Sequence, residues 1–490
     1  MTDTTARPKG PTAASGLGWS TGANIALRLG NFAVGVVMAR LLAPEQFGVF
    51  AVALTVWTLL GTLAEFGFGT DLVRAKNPLD RAPAVGTLGL ISCSVLGLGM
   101  VLMAPFLASA FDTPQATPVL RLMAVSLAVF GLTIVPAALL QRGYRQGRIF
   151  AVNGTAMVAS AAIMVPLGIA GYGPYALAIG QIATQVVTVV GLHLAAKYRP
   201  RFRWDSKVAA ESVRFCAPLA VANLLSWVLL SVDNLIVARA LTPVDLGLYV
   251  LAFNVSSWPM NAIGQAVRVV ALPGFSQQGT KTTRNATLER AIAPLWAVGL
   301  LVGVLLATGA RQGIAILYGK DWLGAAIPLV GLALFGAVRL VFDLLATFLI
   351  AIGHTRAVLV VQTGWLVGMI PAMFFGVRWF GLAGAGLTHL VVAMAIPLPL
   401  YLYFCRKATV RVGTLLRSCF VPTIAIVPLA VASWIACSTI TSPWLAVATS
   451  AGLAVLLYVL PLARWWLGRI RRLRAAPVST GAAAETVVPA

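Results

Sequence analysis

The sequence predicts an all-α polytopic membrane protein: about fourteen transmembrane helices, forming two parallel six-helix repeats plus two C-terminal helices. Three observations carry this. Hydrophobic residues make up 59% of the 490-residue chain and charged residues 10%, with a mean hydropathy of +0.90. A water-facing surface needs more charge, whereas lipid accepts apolar side chains all round a helix. Windows of about 20 apolar residues, enough to cross ~30 Å of hydrocarbon, recur fourteen times. Finally, the stretch 39–53 (ARLLAPEQFGVFAVA) returns at 238–252 (ARALTPVDLGLYVLA), in a register of 199 with six of fifteen positions identical. A membrane protein of two related halves is the layout of a transporter whose substrate lies between them.

In chain order the first six spans fall at 17–40, 46–69, 85–110, 119–141, 149–170 and 174–196. The first copy of the repeated stretch joins spans one and two, and arginines 142, 145 and 148 part spans four and five. Gly171-Tyr172-Gly173 opens span six. After a basic linker at 197–212, six more follow at 213–238, 247–272, 290–310, 323–352, 357–377 and 379–404, the last two parted only at Arg378. Spans 415–437 and 443–466 complete the set, after Arg406, Lys407 and Arg411. The implied domains are a tail at 1–16, lobes at 17–196 and 213–404 flanking the linker, helices 13 and 14 within 405–466, and a basic tail at 467–490.

Charge tests the count independently. With the N-terminus cytoplasmic, tails and inner loops hold twenty-seven Lys and Arg, and outer connections hold six. This is the positive-inside pattern, and it places both termini in the cytoplasm. The net charge of +22 therefore reads as membrane topology rather than a nucleic-acid footprint. Residues 1–15 are polar with no apolar core, so no cleaved signal peptide is expected. Cys93, Cys216, Cys405, Cys419 and Cys437 have no metal-ligand spacing and read as small buried hydrophobes. His193, His354 and His389 form no cluster, and no metal site is expected. Six spans separate the two copies of the repeat, an even number, so the halves share one orientation. Gly143 before the 145–148 arginines is echoed by Gly353 before Arg356, and Gly171-Tyr172-Gly173 by Phe380-Gly381.

Six charges lie inside spans: Arg28, Glu65, Asp233, Arg268, Arg339 and Asp343. Each costs about 3 kcal/mol on insertion scales unless it finds a partner or a wet cavity. Asn24, Arg28 and Asn31 share one face of span 1; Asn223 and Asp233 share a face of span 7, with Asn234 beside them. Asn254, Asn261, Gln265 and Arg268 align on span 8. Two readings follow: a watered cleft along the pseudo-twofold, or interhelical hydrogen bonds that hold the bundle together. Arginines favour the cleft. Arg339 and Asp343, at i and i+4, are expected to form a structural ion pair. Glu65, Asp233 and Asn234 are candidates for coupling-ion or gating roles.

The motif Ala39-Arg40-Leu41-Leu42-Ala43-Pro44-Glu45-Gln46-Phe47-Gly48, with Glu65-Phe66-Gly67-Phe68-Gly69, resembles the Wzx-like oligosaccharide-lipid flippases and polysaccharide export proteins. These belong to the multidrug/oligosaccharidyl-lipid/polysaccharide exporter superfamily. Asp233-Asn234 before the second copy, and Leu317-Tyr318-Gly319-Lys320-Asp321-Trp322, extend the resemblance over roughly 17–405. It implies flipping of undecaprenyl-pyrophosphate-linked oligosaccharide repeat units across the cytoplasmic membrane by alternating access, for capsule, exopolysaccharide or O-antigen. It also implies membrane lipids around the chain, association with polysaccharide polymerase machinery, no resident cofactor, and a coupling ion, Na⁺ or H⁺, left open. Related lipid II flippases carry arginines on spans 1 and 8, where Arg28 and Arg268 stand here. A guanidinium fork suits a pyrophosphate, so these two, with Asn24, Asn31, Asn223, Asn261 and Gln265, form the expected headgroup site. The alternatives are a multidrug antiporter of the same superfamily, whose organic cations favour carboxylates, and a membrane glycan polymerase or ligase. The latter would want a larger outer loop than 311–322, where Asp321 is the one acid.

Overall fold

The computed structural model describes residues 13–143, 145–276, 281–463, 465 and 468; side chains at 13–25, 218–219, 221–223, 225–231, 265–276, 281–283 and 355 lie outside the description. Every regular element among the described residues is helical: α1 (Ala13–Leu41), α2 (Pro44–Glu65), α3 (Phe68–Arg74), α4 (Pro78–Ala110), α5 (Ala116–Phe130), α6 (Ile134–Arg142), α7 (Gln146–Ile169), α8 (Pro174–Ala196) and α9 (Ser206–Ala240). Then come α10 (Pro243–Ser276), α11 (Lys281–Thr308), α12 (Ala310–Leu317), α13 (Ala326–Ala351), α14 (Thr355–Ala395), α15 (Pro397–Lys407), α16 (Val412–Thr439) and α17 (Pro443–Ala454). Ten stretches among the described residues are long and apolar enough to cross a membrane. One of these, Arg356–Lys407, covers two expected spans, and α14 within it bends at Gly381 (φ 56°, ψ −136°). The long helices α1, α9 and α10 lie over the spans expected at 17–40, 213–238 and 247–272. The chain is a multi-pass membrane protein.

Local chemistry sets the helix starts. Pro44 and Pro243 each occupy the first turn of a helix, where proline's missing N–H costs nothing. The backbone N–H before each first turn is held by the side chain three residues on: Ala43 donates to Gln46 Oε1 at 3.3 Å, and Thr242 to Asp245 Oδ2 at 3.2 Å. Thr242 also accepts from the Asp245 N–H, closing a capping box. The span expected at 46–69 is broken rather than continuous. Phe66 (φ 51°) and Gly67 (φ 85°) are both left-handed, which ends α2 and redirects the chain into the short α3.

Contacts divide the chain into two compact units, Met1–Val232 with Thr242–Gly247, and Asp233–Leu241 with Leu248–Ala490. In the first, α5 is central, packed on α2, α4 and α8, while α7 pairs with α8 and α1 with α7. In the second, α13 lies between α11 and α14, and eighteen of its twenty-six residues are buried. Helix α16 packs on α11 and carries α17. None of the five cysteines forms a disulfide, and Cys93, Cys216, Cys405 and Cys437 are buried.

Candidate functional site

Each unit holds a polar constellation among its described residues at corresponding positions of the two halves. In the first, four helices each give one stripe to a cavity of about 550 Å³. Helix α1 contributes Leu27, Asn31, Val34, Gly35 and Met38; α8 contributes Leu177, Gln181, Thr184 and Thr188, at i, i+4, i+7 and i+11. Asn153, Ser160 and Met164 face in from α7, and Phe47, Phe50 and Leu54 from α2. The lining is graded. Towards the Leu41–Pro44 turn it is apolar, closed by the cluster of Met38, Leu177, Phe47, Phe50 and Met164. Towards the other end it carries Asn31, Asn153, Gln181 and Thr188. The Ser160 and Thr184 hydroxyls both donate to the Gly180 carbonyl, at 2.9 Å each, and keep their lone pairs for other donors.

In the second unit, Asp233 is 3% exposed at the end of α9. The Tyr249 hydroxyl donates to its Oδ2 at 2.8 Å, and His389 Nε2 lies 2.8 Å from that hydroxyl and 3.5 Å from Oδ2. The rings of Phe253 and Phe335 pack against His389, at centroid distances of 6.1 and 5.1 Å. Among the described residues, Asp233 Oδ1, Asn234 Oδ1 and His389 Nδ1 are buried and have no hydrogen-bond partner. A carboxylate so placed survives because a hydroxyl and an imidazole replace its water.

The two constellations occupy corresponding places in the sequence. At the repeat register of 199, Asp233 and Tyr249 correspond to Val34 and Phe50. Gly173 (φ 56°, ψ −132°) and Gly381 (φ 56°, ψ −136°) share one unusual backbone conformation, and that register of 208 pairs Gln181 with His389. Val34, Phe50 and Gln181 all line the first unit's cavity. One half therefore fills these three positions with a hydrogen-bonded cluster, and the other leaves space there.

The expected site residues fall as follows. Arg28 is half-buried on α1, one turn from Asn31, which is exposed to the cavity. Asn24, Asn223, Gln265 and Arg268 lie on α1, α9 and α10 with side chains outside the description. Asn261 and Asn234 are half-buried, Glu65 is exposed at the end of α2, and Arg339 and Asp343 are half-buried one turn apart on α13. Sequence reading left out Tyr249 and set His389 aside as a histidine without a cluster; its partners are not histidines. It also passed over Asn153, Gln181 and Thr188, although the polar stripe on α8 has helical spacing.

A third polar group ties α3, α4 and α9 together. Arg81 donates to Asp71 at 3.3 Å and to Glu211 at 3.0 Å, while the Ser212 hydroxyl donates to Asp71 at 2.7 Å. Nearby, the Arg142 guanidinium binds the carbonyls of Val73, Ala75 and Lys76, closing the end of α3.

A family model described as polysaccharide biosynthesis protein matches residues 37–327. The succinoglycan biosynthesis transport protein ExoT of Rhizobium meliloti (strain 1021) is 24% identical over 327 residues, covering 66% of this chain and 65% of that protein. The chain thus spans just under two thirds of that relative's length. The lipopolysaccharide biosynthesis protein WzxC of Escherichia coli (strain K12) is 23% identical over 391 residues, 77% of this chain and 78% of that one. Among solved structures, lipid II flippase MurJ in an inward closed conformation aligns with a TM-score of 0.74 at 15% identity, over 92% of this chain and 100% of that chain. An inward-facing multidrug resistance MATE family transporter aligns with a TM-score of 0.61 at 16% identity, over 80% and 96%. At such identities the structural likeness establishes the fold.

Proposed function

The chain belongs to the polysaccharide biosynthesis protein family, and on that premise we propose that it flips lipid-linked oligosaccharides across a bacterial cytoplasmic membrane. The family match over 37–327 carries the reading. The substrate is a polyprenyl pyrophosphate bearing a sugar repeat unit, moved by alternating access for polymer synthesis outside. Fourteen spans with both termini cytoplasmic and six-helix lobes at 17–196 and 213–404 complete the topology, and polymerase machinery is the partner that consumes the product.

Arg28 and Arg268 hold the pyrophosphate in this reading. Two guanidiniums in a desolvated site bind phosphate oxygens in forks that lysine does not reproduce. The Asp233–Tyr249–His389 cluster is where a coupling cation acts, because a buried carboxylate gains or loses charge there at the greatest energetic consequence. The cavity lining weighs against the organic-cation antiporter: among the described residues it includes amides and hydroxyls but no carboxylate.

The test is reconstitution into liposomes with a fluorescent polyprenyl-pyrophosphate oligosaccharide, measuring the rate at which its headgroup changes leaflets. Acceleration that is lost in Arg28→Ala at equal protein abundance is the expected result. Absence of acceleration alongside proton-coupled efflux of ethidium would move the protein to the antiporters.

A further inference from the structure

We propose that the cavity inside the first unit is a subsite for the neutral sugars nearest the pyrophosphate, entered past Arg28. The inference rests on the flippase reading and adds to it the part of the protein that recognises glycan. Its volume of about 550 Å³ lies in the range of small-molecule sites, roughly 300–1,000 Å³. Its lining names the ligand. The amides of Asn31, Asn153 and Gln181 each offer donor and acceptor together, which is what a sugar hydroxyl requires. None of the three has a hydrogen-bond partner within the protein among the described residues. Asn31 and Asn153 are exposed and Gln181 is half-buried, so their donors and acceptors are open to a ligand entering that space.

The excluded ligands matter as much. Among the described residues no arginine or lysine lines the cavity, which argues against the pyrophosphate being held there, and no carboxylate invites an organic cation. Against a polyprenyl tail the same amides would go unpaired. Phe47, Phe50 and Met164 at the closed end suit the apolar C–H faces of a pyranose ring. From Asn31 to Met38 the lining runs seven residues along α1, about 10 Å at 1.5 Å per residue. Arg28 stands one helical turn before Asn31, so a headgroup held there places its first sugar at the polar mouth.

Gly35 supplies a steric test. It faces the cavity, and a Cβ built on it meets nothing within 4 Å, so Gly35→Leu starts in open space and projects its side chain towards the cavity. Leucine also suits a helix better than glycine. The experiment compares Gly35→Leu, Gln181→Leu and Asn153→Leu with the wild type in liposomes carrying either bare undecaprenyl pyrophosphate or the same lipid bearing a neutral hexose disaccharide. Gln181→Leu and Asn153→Leu are each expected to slow the glycosylated lipid about tenfold, the value of one well-made hydrogen bond; Gly35→Leu should slow it by filling the space, and all three should leave the bare lipid unchanged. In parallel, saturation-transfer NMR of the free disaccharide with the detergent-solubilised protein should show contact in the wild type and lose it in Gly35→Leu. Glycosylated lipid moving at the wild-type rate in all three variants, or bare lipid slowed equally, overturns the subsite. If the wild type moves neither lipid, the flippase reading falls, and the NMR signal decides the subsite alone: present and abolished by Gly35→Leu, it stands; absent or unaffected, it falls.

Discussion

Gly48→Ala should destabilise the first unit more than any other single methyl added to its helices. Gly48 and Gly247 are equivalent positions of the two motif copies, each four residues after the proline in its helix's first turn. They pack reciprocally: a Cβ on Gly48 collides with the Pro243 carbonyl, and one on Gly247 with the Pro44 carbonyl. Both obstacles are backbone atoms, which cannot rotate aside, and restoring ordinary contact at Gly48 demands more than about 1 Å of main-chain movement. Overpacking of this kind costs about 3 kcal/mol, and the helix preference of alanine over glycine returns about 1. The net loss is about 2 kcal/mol, or a midpoint lower by about 4–8 °C in a unit of this size. The control is Gly99→Ala on α4, where a Cβ meets nothing within 4 Å, so propensity acts alone and the midpoint should hold or rise. Differential scanning fluorimetry on detergent-purified protein reads both. The double variant Gly48→Ala/Gly247→Ala should cost less than the two single losses combined, since one displacement relieves both contacts. Equal stability of Gly48→Ala and Gly99→Ala, or strictly additive losses, would refute the reciprocal packing.

Gly381→Ala should cost about 1–3 kcal/mol, because φ 56° with ψ −136° is a conformation that essentially only glycine adopts; an unchanged thermal midpoint would remove the bend from the argument. Asp71→Ala should lose about 1.5–3 kcal/mol, since it strips charged hydrogen bonds from both Arg81 and Ser212. Asp71→Asn, which still accepts from Ser212, should fall less, as denaturant titration would show. His389→Leu leaves Asp233 buried without its imidazole partner, a loss of about 3–5 kcal/mol, and adding Asp233→Leu should recover part of it by removing the stranded charge. A double variant no more stable than His389→Leu would mean that the imidazole acts by packing alone.

What was legible in the sequence was whatever helical period and loop charge encode. The apolar windows and the arginine-rich loops locate the helices, because each is a local property of about twenty residues. The break at Phe66-Gly67 escaped because apolarity continues straight through it, and the turn rests on two left-handed residues rather than on a polar gap. Asp233 was legible as a costly charge, but its partners were not: Tyr249 is 16 residues away and His389 another 140. Arg28 and Asn31 drew notice as a polar face of α1. The amides that share the cavity with Asn31 come from α7 and α8: the Gln181, Thr184, Thr188 stripe was readable from its helical spacing, but its convergence with Asn31 and the lone Asn153 is a tertiary fact with no local signal.

The correspondence of Val34, Phe50 and Gln181 with Asp233, Tyr249 and His389 explains why two related halves diverge in chemistry while keeping their helices. A buried carboxylate is tolerable only when its partners are present with it, so the three polar residues of the second unit form an interdependent set. Replacing any one alone strands another. Val34 and Phe50 in the first unit carry no such obligation, and Gln181 is neutral whatever faces it. These positions can therefore bound empty space, and space lined by neutral amides can accept a neutral ligand. The same positions thus carry opposite demands: the second unit is constrained to retain three interdependent groups, whereas the first is free to vary its lining, with the glycan on the proposed reading. On the proposed flippase reading, glycan specificity should map to α1, α7 and α8, and the energetics of the transport cycle to α9, α10 and the second half of α14.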